Sequence, residues 1–140
     1  MTDLPRLARK ISRALGVEVV LTTDYEARTP TMYASVDDSA ATGNKYRVPL
    51  GPPSRREQNL HRLHELIYHA RAKVKYEMQG GLCAICKRQL NGRGETDHIK
   101  TRAKGRDDRL ENLQVLCAPF SGGCTYHHRK HGLSGQRRTA

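Results

Sequence analysis

The 140-residue chain has no tryptophan and one phenylalanine, so its aromatic content rests on six tyrosines. So few large side chains support only a small core, and a short chain with a small core often needs a staple. No apolar run approaches the ~18 residues of a membrane span, so no membrane partner is expected. Arg6, Arg9, Lys10 and Arg13 interrupt the first residues where a secretory signal would be apolar, and a soluble cytoplasmic protein is expected. Internal repeats and low-complexity tracts are also missing, and the length allows one domain with at most a small appendage.

Acidic residues are scarce as well. Fourteen Asp and Glu face 25 Lys and Arg, a net of +11. The excess is uneven: up to Pro53 there are seven basic and six acidic groups, but from Leu82 onward there are twelve against five. A net charge this high in a small domain points to a polyanion, because neutralising phosphates releases counterions. A solvated, partnerless surface is the plainer alternative.

Hydrophobic periodicity outlines an α+β chain. Leu4, Leu7, Ala8, Ile11, Ala14 and Leu15 recur at helical spacing up to Gly16, predicting a helix over about 4–15. Val17–Thr23, Thr31–Val36 and Lys45–Leu50 read as strands, with a loop over Asp37–Asn44. Gly51-Pro52-Pro53 then punctuates the chain where the charge steps up. Beyond it, Ser54 and Glu57 have capping-box spacing, and Leu60, Leu63, Ile67, Ala70, Val74 and Met78 predict a helix over about 54–78, stopped at Gly80-Gly81. Its polar face would carry Arg55, Arg62, Arg71, Lys73 and Lys75, able to follow a phosphate backbone or simply to face solvent. His61, His64 and His69 read as surface or boundary residues. The segments expected are 1–53 (a helix and three strands, role open), 54–81 (a long basic helix), 82–132 (the chemical module) and 133–140 (a basic tail).

All four cysteines fall in the last of the large segments. Cys83-Ala84-Ile85-Cys86 has the spacer that lets two thiolates meet one tetrahedral Zn²⁺, and Cys117 and Cys124 can close the site if residues 118–123 loop out. Structural zinc is favoured over two disulfides, which an intracellular setting disfavours, and over a redox pair, which leaves the second pair idle. His127 and His128 follow Cys124 closely and leave the fourth ligand open. Between the pairs stand Glu95-Thr96-Asp97-His98-Ile99. As neighbours on a strand, Asp97 and His98 point to opposite faces and cannot share one task. A hard oxygen ligand with an imidazole suits Mg²⁺ or Mn²⁺, while an imidazole can also accept a proton near neutral pH.

The order CxxC, Asp97-His98-Ile99, Asn112, Cys117, then His127-x-x-Lys130 resembles the HNH endonuclease family, the zinc-stapled branch of the ββα-metal nucleases, over about residues 82–132. The resemblance implies a C-terminal ββα-metal module with structural zinc on Cys83, Cys86, Cys117 and Cys124. It implies a catalytic Mg²⁺ or Mn²⁺ on Asp97 and His127, with His131 as a further ligand, and His98 as the base that activates water. Asn112 would either pin the loop that orients the base or approach the metal. The expected function is hydrolysis of DNA phosphodiesters to 5′-phosphate and 3′-hydroxyl ends. Lys100, Arg102, Lys104, Arg106, Arg109 and Lys130 are the expected nucleic-acid contacts. The sequence departs from the family in the six residues between Cys117 and Cys124, where two are usual. A catalytically idle zinc module that binds nucleic acid is the alternative. A phage, mobile-element or toxin setting, strandedness and oligomeric state stay open.

Overall fold

The computed structural model describes residues 3–117, apart from the side chain of Lys104. The expected readings at Cys124, His127, His128, Lys130, His131 and the basic tail lie outside the described residues. The chain divides into two compact units, Met1–Ala70 and Arg71–Ala140.

In the first unit, α1 (Leu4–Leu15) begins at Asp3, whose side chain accepts the Arg6 N–H at 3.0 Å, and ends at left-handed Gly16. Its apolar stripe buries Ala8, Ile11, Ala14 and Leu15. Strands β1 (Val19–Asp24), β2 (Thr31–Asp38) and β3 (Asn44–Pro49) form an antiparallel sheet in the order β1-β2-β3. β1 starts two residues later than expected, because the Val19 N–H donates to the Ser12 hydroxyl at 2.9 Å and leaves Val17 and Glu18 in the turn. β2 runs two residues further than expected, since Asp37 and Asp38 pair in register with Lys45 and Asn44. The expected loop that follows holds a single helical turn, α2 (Ser39–Thr42). Val19, Ala34, Val36 and Leu50 pack with Ile11 and Leu15 and with Leu60, Leu63 and Ile67 of the long helix α3 (Arg56–Met78).

Two features of α3 correct the sequence reading. The capping box does not start it; Pro53–Arg55 form a short 3₁₀ turn without a side-chain cap, closed by the Arg55 N–H on the Pro52 carbonyl at 2.9 Å. Of the predicted polar face and boundary histidines, Arg71 is 2% exposed and His64 is 6% exposed, so both are core residues.

In the second unit, α3 ends in paired left-handed glycines, with the Gly81 N–H reaching back to the Tyr76 carbonyl at 3.0 Å. A tight knuckle follows, in which Cys83 N–H donates to the Arg88 carbonyl and Lys87 N–H to the Cys83 carbonyl. Strands β4 (Glu95–His98) and β5 (Leu113–Leu116) pair antiparallel, Asp97 opposite Gln114 and His98 opposite Leu113. The Gln79 side chain locks this hairpin: its amide nitrogen donates to the carbonyls of Leu82 and Val115, and its oxygen accepts the Val115 N–H. Cys83, Leu90, Val115, Leu116 and Cys117 make the small core, with Tyr76, Ala84 and Ile85 packed against it.

Gly94 enters β4 with φ 117°, and a Cβ there would stand 2.9 Å from the Leu116 carbonyl oxygen. That neighbour is backbone and cannot swing away. Gly94→Ala is therefore expected to destabilise the second unit by about 1–3 kcal/mol, read as a lower midpoint of thermal unfolding.

Candidate active site and cysteine cluster

β4 presents Asp97 and His98 side by side, and both are largely buried. The Asp97 Oδ2 accepts the Gln114 side-chain amide at 3.2 Å from the facing strand. The His98 Nε2 lies 2.6 Å from the Asp108 Oδ1. Asp108 is fully buried; its Oδ2 accepts the Arg106 Nε at 2.8 Å, and its backbone carbonyl accepts the Arg71 Nη1 at 2.9 Å. A buried carboxylate is tolerated only with such partners. The two faces of β4 thus have separate surroundings, an amide beside Asp97 and a carboxylate beside His98.

Asn112 closes the loop between the strands. Its Oδ1 accepts the Lys100 N–H at 2.8 Å, and its Nδ2 donates to the Asp107 carbonyl at 2.7 Å and to the Lys100 carbonyl at 3.3 Å. Its own carbonyl accepts the Ile99 N–H at 2.8 Å, directly after His98. Every one of these bonds goes to loop backbone, so the amide orients the segment that carries the imidazole.

Of the expected nucleic-acid contacts, Lys100 and Arg102 are exposed on this loop. Arg106 is instead bonded to Asp108, and Arg109 forms a double hydrogen bond to Asp107 and an ion pair with Glu111. The Arg109 guanidinium, more than burial opposes it, holds the Asp107 carboxyl below its usual range, and Arg109 is raised in turn. Lys104 lies in the Arg102–Lys104 turn. Asp108, Arg71 and Gln114 escaped the sequence reading. Asp108 is one of two adjacent aspartates in an irregular loop, and Arg71 sits where the helical period predicts a polar face.

The Sγ atoms of Cys83, Cys86 and Cys117 lie within 4.8 Å of one another, with Cys86 and Cys117 at 3.8 Å, far beyond a disulfide bond. All three are free thiols, so no disulfide forms among the described cysteines. Burial raises the Cys83 thiol, but the backbone N–H groups of Cys86, Ile85 and Cys117 and the Cys86 thiol outweigh it and lower the pKa to about 7. Donors aimed at a sulfur favour the thiolate, the form that binds a metal. The cluster therefore fits a metal such as zinc, and among the described residues no other His, Cys, Asp and Glu group of three or more stands ready for one.

Residues 83–119 match the family model described as HNH endonuclease, a segment that takes in the knuckle, β4, the Asn112 loop and β5. No curated protein and no solved structure matches the chain. The matched segment points to a nuclease or nucleic-acid-binding role. No helix among the described residues is long and apolar enough to cross a membrane.

With its pKa at about 7, Cys83 is largely thiolate above that pH and must release a proton to a metal below it. Zinc affinity, measured by competition with a chromogenic chelator, is expected to rise between about pH 6 and about pH 8. Cys83→Ser should lose that affinity and lower the thermal midpoint.

Proposed function

We propose that the protein is a metal-dependent HNH endonuclease that hydrolyses DNA phosphodiesters. The observation that supports this most is the His98–Asp108 pair, inside the matched segment and one residue from Asp97. In this reading the Nε2–H of His98 donates to the Asp108 carboxylate, which fixes the tautomer and orients the imidazole toward the attacking water. The imidazole takes a proton from that water as the water oxygen bonds to phosphorus. The bond from phosphorus to the 3′ oxygen breaks, leaving a 5′-phosphate and, after protonation, a 3′-hydroxyl. Asn112 holds the loop so that the imidazole keeps its place. Asp97 would hold Mg²⁺ or Mn²⁺ together with His127 and, further along, His131. Such a cation, when bound, stabilises negative charge on the phosphate and the leaving oxygen. Its chemistry fits a hard oxygen donor such as the Asp97 carboxylate, which accepts the Gln114 side-chain amide.

Zinc on Cys83, Cys86, Cys117 and Cys124 would serve as the staple beside the reaction. The ββα arrangement would be completed by the segment with His127 and Lys130. Lys100 and Arg102 would meet phosphates, and the setting is the cytoplasm of a bacterial or phage-infected cell.

Supercoiled plasmid incubated with Mg²⁺, Mn²⁺ or EDTA tests the reading. Cation-dependent nicking or linearisation is expected from the wild type, and His98→Ala should lose at least ~100-fold in rate. Asp108→Asn should lower kcat with little change in KM, because it disturbs the base and not DNA binding. Equal cleavage by His98→Ala would overturn the assignment of the base. Salt-sensitive DNA binding without cleavage under any cation would favour the idle binding module.

A further inference from the structure

The second unit holds a cleft that the proposed chemistry does not use. It has a volume of about 250 Å³ and is lined by Ala72, Lys73 and Tyr76 of α3, by Gly92, Arg93 and Gly94, and by Thr96 and Val115 of the hairpin. Two lining residues are cations and none is a carboxylate. Neither Lys73 nor Arg93 forms an ion pair among the described residues, in contrast to Arg106 and Arg109. Gly92 and Gly94 keep side chains out of the loop wall. The Tyr76 hydroxyl accepts the Gly92 N–H at 2.6 Å and ties that wall to the helix. An opening lined by two cations that form no ion pair among the described residues, with Thr96 beside them, is suited to an anion.

Its place says which anion. Thr96 and His98 are two residues apart on β4 and so face the same side of the hairpin, about 6.7 Å apart along the strand. That is the scale of one nucleotide step. We propose that the cleft binds a backbone phosphate neighbouring the one that is cut, with Lys73 and Arg93 as its cationic contacts. The proposal rests on the nuclease reading for the word "cut" alone; the phosphate contact itself stands equally for a module that only binds nucleic acid.

The test is binding of a short fluorescent DNA duplex in EDTA, where cleavage cannot interfere, titrated with salt. Lys73→Gln and Arg93→Gln are each expected to weaken binding severalfold and to reduce the slope of log affinity against log salt by about 0.9, the pair by about twice that. Lys73→Arg and Arg93→Lys should keep the slope, as should Lys10→Gln on α1, which controls for net charge. Unchanged slopes in the Gln variants, or no binding by the wild type, would overturn the proposal. Binding of inorganic phosphate that depends on Lys73 and Arg93, while DNA affinity does not, would overturn it in favour of a free-anion site. Loss of cleavage chemistry under all cations with the slope change intact would sink the nuclease reading alone.

Discussion

The buried carboxylate of Asp108 is the constraint on which the second unit's chemistry depends. A charge with no exposed surface must be met by partners or it destabilises the fold by several kcal/mol. Among the described residues the carboxylate oxygens meet His98 from β4 and Arg106 from the loop, while Arg71 of α3 bonds the Asp108 backbone carbonyl beside them. Satisfying one aspartate therefore fixes a strand, a loop and a helix together. The imidazole on β4 is aimed by the same bonds that make the loop fold.

The sequence is most informative where periodicity or a fixed spacer carries the signal. α1 matches its expected bounds, the apolar stripe of α3 is buried at Leu60, Leu63 and Ile67, and Gly80-Gly81 stops the helix. The CxxC spacer brings two thiols together, and Cys117 joins them across the hairpin end. What escapes is long-range polar satisfaction. Gln79 bonds across 36 positions to Val115 and Arg71 across 37 to Asp108, and neither bond leaves a local pattern. Arg71 shows the failure in sharp form. A cation on a predicted solvent face is buried because a carbonyl waits for it, which helical period cannot report. His64 is likewise buried where the helical period predicts a boundary, and the expected capping box lost to a 3₁₀ turn set by Pro52 and Pro53.

The shortage of aromatics has its counterpart in the second unit, where two of the five buried residues of the hydrophobic cluster, among the described residues, are cysteines. Thiols add little apolar area, so the knuckle depends on backbone bonds around Cys83 and on the Gln79 lock more than on packing. A metal across the three sulfurs would supply the missing cohesion and make metal binding part of folding.

Asn112 has a consequence for how this chain can change. By holding Lys100 on one side and Asp107 on the other, it seals the mouth of the intervening loop and isolates what lies within from the strands. Lengthening a closed loop is thermodynamically cheap, about 0.6 kcal/mol per doubling. The stretch from Thr101 to Gly105 is thus a natural point for insertion, where new recognition elements can be grafted while the imidazole two residues upstream of Lys100 stays in register.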